Sequence, residues 1–593
     1  MADTIPSRLF EQARVHPNRA AYYVKSGRSW VPTSWRDYQA QVRQASKAMI
    51  ALGIQPGQPV AILGSNRPEW VIFHIAAMAI GAAPAGIYTT CSPPEVRYVV
   101  AHSEAPLVLI EDEEQWEKID AERDNMPGLK HAILMKSAPR VDDPLALSWN
   151  AFMAHGDEIT DAEFTERFQA LSPDQLATLI YTSGTTGPPK GVMLSHNNLA
   201  WTARAAVGVV DLTFEDCMLS YLPLSHIAEQ MFTIYGPITA GSAVYFAESG
   251  AHVPENLKEV QPTIFMGVPR IWEKFHAHIA NGLSEASASR QKLFRWAMEV
   301  GAKVSALQRA GEEPGGVLAL QHKLADRLIF SRLKPAIGLG RARFCATGAA
   351  PTSKEILEFF AGLTITIHEV YGQSEGCGPT TINAPGRVQL GTVGQALPGM
   401  QIRINDDGEI IGRGENVFMG YFKDPEATRS ALKDGWLHSG DLGAIDEHGF
   451  LTITGRKKEI IITSGGKNIT PKNIEVAIQA IEIVSQAVVI GDGRHFLTAL
   501  ITLEPEAARR FADKRGITNE DLHNEPAIRE HIDAAIHKEV NPQYARVEQI
   551  KKFTLLPREL TIEDGELTPT LKIKRRVVNE VWADAIDAMY ADD

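Results

Sequence analysis

The sequence predicts an α/β protein with a large multi-layer N-terminal domain of sheets flanked by helices and a small α+β C-terminal domain. Three observations carry this. Short apolar runs of strand length alternate with helical patterns from about residue 35 to residue 370, as layers around a largely parallel sheet require. The 593 residues are 44% hydrophobic, enough to core several units. Near residue 456 the texture changes, and the remaining chain carries its own strands and helix. The expected domains are therefore 1–456 and 457–593.

Taken in order, the first clear helix starts at Ser34, an N-cap with Asp37 three residues on. Trp35, Tyr38, Val42, Ala45, Met49 and Leu52 follow at helical spacing until Gly53 stops the run. Residues 60–63, 107–110 and 132–135 read as strands. Residues 70–87 are long and apolar enough to raise a membrane-spanning question. His74, Gly81, Pro84 and the alanine content favour a buried helix followed by a strand. Residues 140–170 are more polar and read as surface connections.

Residues 176–180 and 191–194 read as two strands around a Gly/Ser/Thr loop, and 218–222, 243–246 and 263–267 continue the sheets. Residues 272–335 form an alanine-rich helical stretch broken by glycines and a proline at 311–316. No heptad persists there, so a helical insertion packed on the main domain is expected rather than a coiled coil. Strands resume at 343–346 and 365–370. Residues 451–454 and 459–463 flank Gly455-Arg-Lys-Lys458, which places the linker at Arg456 to Lys458. Beyond it, 486–490 and 497–503 read as strands, and Ile528, Ile532, Ile536 and Val540 share one helical face.

The formal net charge of −13 excludes a nucleic-acid binder that works through a global positive field. A bound polyanion must be held by local groups. Cys91, Cys217, Cys345 and Cys377 form no C-x-x-C and no metal spacing, so reduced and mostly buried thiols are expected. The N-terminus lacks a basic region followed by an apolar one, so no signal peptide is expected and the predicted location is cytoplasmic.

Those local groups stand in Thr182-Ser-Gly-Thr-Thr-Gly-Pro-Pro-Lys190. Ser183, Thr185 and Thr186 place hydroxyls beside Gly184 and Gly187, whose backbone N–H groups can approach an anion, and Lys190 adds a full charge. Gly184 and Gly187 are three apart, Lys190 precedes a glycine and a strand follows, so this is no Walker A loop. For composition alone, a turn between two strands is the plain alternative.

The ordered combination closely resembles the phosphate loop of the adenylate-forming (AMP-binding) superfamily, and further stretches follow in that family's order. The resemblance implies that His226, in Tyr221-Leu-Pro-Leu-Ser-His226, lies beside a carboxylate site. It implies that Gly348, Ala349 and Ala350 form a turn against which a flat base lies. In Tyr371-Gly372-Gln373-Ser374-Glu375, Tyr371 offers adenine a ring, and Glu375 with Thr182 is the expected Mg²⁺ site. Asp441, read at a strand start, matches the family's ribose carboxylate. Arg456 matches an arginine on ribose or phosphate, and Lys458 the hinge of a mobile lid domain.

Ser464-Gly465-Gly466-Lys-Asn468 resembles the loop lining a CoA thiol tunnel. Thr568-Pro-Thr-Leu-Lys572 resembles the catalytic lysine loop. Leu571 stands where many relatives have glycine, which keeps Lys574 open as the alternative to Lys572. The implied catalytic set is Lys572, Glu375, His226 and Lys190. The implied reaction joins a carboxylate to AMP from ATP with pyrophosphate release, then passes the acyl group to CoA. Val268-Pro-Arg-Ile-Trp-Glu-Lys274, Asn66-Arg-Pro-Glu-Trp70 and Gly414-Glu-Asn-Val-Phe-Met-Gly-Tyr421 resemble long-chain and very-long-chain fatty acyl-CoA synthetases, in the bubblegum-like branch and its bacterial relatives. The implied partners are a fatty acid, ATP and CoA, with no nucleic acid and no transmembrane segment. Peripheral membrane contact and oligomeric state stay open. An aryl or other carboxylate ligase, or a non-catalytic acyl- or nucleotide-binding relative, is the alternative.

Overall fold

The computed structural model describes residues 2–182, 188–568 and 571–591. Its first sheet is built from apolar runs too short for helices. Pro59–Leu63, Ala83–Ile87 and Leu107–Ile110 are buried at every position, as strands covered by helices on both faces must be. They run parallel, with His131–Leu134 and Ala146–Ser148 beyond them and Leu176–Thr182 on the other side. Lys190–Ser195 returns antiparallel to Leu176–Thr182, and Gly420–Tyr421 closes that edge. This completes eight strands.

A second sheet runs Ile264–Met266, Phe344–Thr347 and Ile367–Gln373 in parallel, then adds Gly378–Ile382 and Gln395–Ala396 antiparallel. A third holds Cys217–Ser220, Ala243–Phe246, Ala20–Ser26 and Ser29–Ser34. An antiparallel sheet of Gln401–Ile404, Glu409–Arg413, Trp436–Ile445, Leu432–Lys433 and Leu451–Arg456 leads toward the C-terminal part.

The helix Trp35–Ala51 forms as its spacing predicts, with the Asp37 N–H donating to Ser34 Oγ at 3.1 Å. Residues 70–87 split into the buried helix Pro68–Ala79 and the strand Ala83–Ile87. Among the described residues, no helix is long and apolar enough to cross a membrane. All four cysteines are free and buried.

The 272–335 stretch is helical and packed on the main body: Pro269–Ser284, Ala288–Arg309, Gly316–Ala325 and Ser331–Ala336. Trp272, Phe294, Val300 and Phe330 pack into one core with Phe360. Gly301 makes this possible, since a Cβ there would lie 1.9 Å from the Gly362 carbonyl oxygen.

Residues 140–170 correct the sequence reading. They form Ala146–Ser148, Trp149–His155 and Asp161–Gln169 rather than surface connections alone. Trp149, Phe152, Phe164 and Phe168 are buried. Spacings of three and four put two aromatics on one face of each helix, and that pairing outweighs the polar average. A second correction concerns Asp441, which is the sixth residue of the ten-residue strand Trp436–Ile445 and not its start. Gly435 and Gly440 suggest a boundary on both sides, but the strand continues through Gly440.

The C-terminal part has its own core around Val484–Ile490, Leu497–Leu503 and Ile550–Leu555. Ile528, Ile532, Ile536 and Val540 are buried in it, from Pro526–Ala535 and the π turn that follows. It touches the insertion where Arg270 Nη2 donates to Ser485 Oγ at 3.1 Å.

Candidate active site

Between the large sheets and the C-terminal part lies a cleft of about 3090 Å³. A single small-ligand pocket is typically about 300–1,000 Å³, so this one can hold several reactants together.

One wall stands at the carboxyl ends of parallel strands, where open α/β sheets bind ligands. Gly348, Ala349 and Ala350 follow Phe344–Thr347, and Tyr371 to Glu375 end Ile367–Gln373; all eight line the cleft. The two loops are locked backbone to backbone. A Cβ on Gly348 would meet the Val370 carbonyl oxygen at 2.8 Å, and one on Gly372 would overlap the Gly378 carbonyl oxygen at 1.7 Å.

Asp441 faces this wall. Strand register sets it opposite Arg456, whose Nε donates to Oδ1 at 2.6 Å. The Tyr371 hydroxyl donates to Oδ2 at 2.8 Å. Burial pushes the Tyr371 phenol well above its ordinary pKa, so it stays a donor. A carboxylate has about four acceptor positions, and Asp441 keeps capacity for hydroxyls arriving from the cleft.

On the facing edge, Thr182 and Lys190 are cross-strand partners and both line the cleft. Ser183, Gly184, Thr185, Thr186 and Gly187 lie outside the described residues. Lys190 Nζ stands 5.0 Å from the centroid of the Tyr421 ring, and the Tyr421 hydroxyl donates to Glu375 Oε1 at 2.7 Å. Cation, ring and carboxylate thus form one chain across three elements. Tyr421 was not among the expected site residues, although it ends the Gly414–Tyr421 stretch; only its pairing with the edge strand reveals its place.

His226 caps the turn after Tyr221-Leu-Pro-Leu-Ser. Burial, helped by the Lys572 charge, pushes its pKa down to about 4, so the ring is neutral near pH 7. Its Nδ1 accepts from the Ala228 N–H at 3.1 Å. In a neutral ring the proton then sits on Nε2, which makes that atom a donor. Beside it, Glu229 was not foreseen. Its Oε1 accepts from Thr233 Oγ1 (2.7 Å), Ser220 Oγ (3.0 Å), Asn66 Nδ2 (3.2 Å) and the Tyr221 N–H (3.2 Å). Burial raises its pKa to about 8.

The C-terminal part contributes Lys572. Its side chain keeps surface open to the cleft, yet enough protein surrounds the amine to lower its pKa. Burial does most of this and Arg456 adds to it, while Asp441, Glu375 and Glu459 oppose. Lys572 therefore shares one electrostatic neighbourhood with Asp441, Glu375 and His226. The Lys574 charge acts instead on the Cys91 thiol. Leu571 has φ +60°, the left-handed region that favours glycine. Arg456 and Lys458 line the cleft, but Gly465 and Gly466 do not; they are exposed on a separate turn.

Family comparison fits this site. The model for AMP-binding enzymes matches residues 9–422, and that for the AMP-binding enzyme C-terminal domain matches 458–593. The chain belongs to the AMP-binding enzyme family. Among curated members, a Xenopus laevis protein named long-chain-fatty-acid–CoA ligase ACSBG2 is 37% identical over 625 residues, covering 99% of this chain and 84% of that one. A Mycobacterium bovis protein named long-chain-fatty-acid–CoA ligase FadD15 is 37% identical over 599 residues, covering 99% and 97%. Among solved structures, the A-PCP didomain of a Segniliparus rugosus carboxylic acid reductase in complex with AMP has the same fold. Its TM-score is 0.74 at 18% identity, covering 99% of this chain and 82% of that one.

Proposed function

We propose that this AMP-binding enzyme is an ATP-dependent long-chain fatty acid–CoA ligase. The observation that carries the reading is the meeting of Lys572, from the C-terminal part, with Glu375, Asp441 and His226 in one cleft. The full-length relatives named long-chain-fatty-acid–CoA ligases support the choice of acid.

In this reading Asp441 accepts the ribose hydroxyls, and Tyr371 and the Gly348–Ala350 turn hold adenine. Arg456 and the 182–190 loop with Lys190 hold phosphates. His226 donates through Nε2 to the fatty acid carboxylate, and Lys572 bridges that carboxylate to the α-phosphate. A carboxylate oxygen then attacks the α-phosphorus and pyrophosphate leaves. Two anions must be brought together, so the work is positioning and electrostatics.

The residues fit Mg²⁺, which takes one or two carboxylates plus phosphate oxygens. Glu375 Oε1 is occupied by Tyr421, which leaves Oε2 as a hard donor, and Thr182 stands on the opposite edge. When bound, the ion supplies positive charge to the phosphates. The acyl chain would lie along Val207, Val210, Leu212, Met218, Phe232 and Met266, an apolar stretch of the cleft wall.

The proposed domains are 1–456 and 457–593, turning about Lys458. Rotation would withdraw Lys572 and bring Gly465 and Gly466 to the site. The CoA sulfur then attacks the acyl carbonyl and AMP leaves.

The test is pyrophosphate and AMP release across acids of increasing length, with and without CoA. Pyrophosphate should depend on the acid, thioester on CoA, and turnover should rise toward long chains. Acetate or benzoate as best substrate would replace the long-chain reading by that of a short-chain or aryl ligase. No acid-dependent pyrophosphate at all would make the chain a non-catalytic relative.

A further inference from the structure

Gly316–Ala325 and the π turn Asp326–Phe330 form one continuous rod on the outside of the insertion. Its inner side is explained by the core: Leu318, Ala325, Ile329 and Phe330 pack there. Its outer side is not. Val317 is 71% exposed, Leu320 68%, Leu324 50% and Leu328 39%. Spacings of three, four and four residues stack them into one stripe. Among the described residues fourteen large hydrophobic side chains are exposed, and four of them stand on these twelve residues. A helix apolar on both sides normally has both covered.

Charge says what covers this one. The chain carries −13 overall, yet residues 287–334 hold nine Lys and Arg against four Asp and Glu. Lys323 and Arg327 are exposed along one flank of the stripe, and Arg332 is exposed just beyond the rod's end. Asp326 turns away, its charge acting on His322 and Lys334. Lys334 itself is taken up by Thr364, to whose Oγ1 it donates at 2.6 Å. Glu312 and Glu313 precede the rod. A second copy on this face would set cations against cations, which opposes docking.

We propose that this face docks the protein on an anionic membrane surface, the stripe entering among the acyl chains and Lys323, Arg327 and Arg332 meeting lipid phosphates. Apolar residues flanked by cations are the composition that lies in such an interface. No residue of the rod lines the cleft that holds the proposed chemistry.

Full-length protein is mixed with vesicles of phosphatidylcholine alone or with phosphatidylglycerol, and bound protein is measured by flotation. Wild type should bind anionic vesicles, and more weakly as salt rises. L320E/L324E should lose about tenfold or more on them. K323Q/R327Q should lose about twenty-five-fold on them, roughly fivefold per cation, and lose nothing on neutral ones. V547E, at an exposed position elsewhere, should float like wild type. Turnover of a fatty acid supplied without vesicles should be equal in all four proteins. Wild type that ignores both vesicles, L320E/L324E or K323Q/R327Q that floats like wild type, or a wild-type dimer that L320E/L324E splits would each overturn the proposal. So would equal losses on neutral and anionic vesicles for K323Q/R327Q.

Discussion

Asp441 shows what one side chain must do here. It is buried and is already bonded to Arg456 and Tyr371 before any ligand arrives. Asp441→Ala therefore removes the proposed ribose acceptor and also leaves a guanidinium and a phenol short of a partner. ATP affinity should fall by about 1.5–3 kcal/mol, while Tyr371→Phe, which removes one neutral donor, should cost about 0.5–1.5 kcal/mol. Calorimetric titration with ATP reads both, and unchanged affinity in Asp441→Ala would remove it from the site. Glu229 gives a prediction of another kind. Its folded pKa of about 8 stands above the ordinary 4.5, so its contribution to stability is complete below about 4.5 and is lost as pH rises through about 8. Glu229→Gln keeps the shape and an acceptor oxygen but cannot ionise. Its urea-unfolding stability should fall less than that of wild type across that window. Glu369, also raised to about 8, remains in both proteins and cancels in the difference. Equal slopes would mean that Glu229 does not titrate there. That Asp441 and His226 line one cleft was legible because each sits in a short contiguous motif. Glu229 was not, because its partners Asn66, Ser220 and Thr233 come from three separate segments of the chain.

At the scale of elements, the sequence reading succeeds where one periodicity dominates and fails where two signals mix. Trp35–Ala51 has a cap, a stripe and a stop. Residues 140–170 have a polar average that hides two short helices with two buried aromatics each. The two strands that flank residues 183–187 were legible from their apolar runs, but their antiparallel pairing and the added Gly420–Tyr421 pair depend on an edge that only the folded sheet supplies. The apolar wall was not legible at all. Val207, Val210 and Leu212 lie around the end of the helix His196–Val210, whereas Met218, Phe232 and Met266 come from other elements. Their meeting predicts a chain-length effect. Each buried methylene is worth about 0.8 kcal/mol, so a long acid gains until the wall ends. Leu212→Trp should move the preferred acid to fewer carbons and leave ATP affinity unchanged. An unchanged length profile would place the acyl chain along another part of the cleft.

For the whole molecule, the question is whether one cleft serves both half-reactions in one arrangement of its parts. In the structure Lys572 stands with Asp441, Glu375 and His226, while Gly465 and Gly466 are outside the cleft. This arrangement therefore offers Lys572 to the cleft but not the glycine turn. Lys572→Ala should abolish pyrophosphate release yet leave thioester formation from pre-made acyl-AMP largely intact, since that step needs a path for the thiol and not a cation. The complementary variant is best made at Gly465. Gly466 has φ +73°, so any side chain there is strained whatever space it has. A Cβ on Gly465 would meet nothing closer than Thr463 Oγ1 at 3.9 Å. Gly465→Val should keep pyrophosphate release and lose the CoA step. Lys458→Pro, by fixing φ near about −65° within the turn Lys457–Glu459, should slow passage between the arrangements and depress the overall rate more than either half alone. Measuring both halves on all three proteins separates the ideas. Equal loss of both halves in Lys572→Ala would make that lysine structural. Loss of neither would move the bridging role to Lys574, whose charge in this arrangement reaches Cys91 instead. Loss of adenylation in Gly465→Val would mean that the glycine turn serves the first step too, and that the two halves do not need two arrangements.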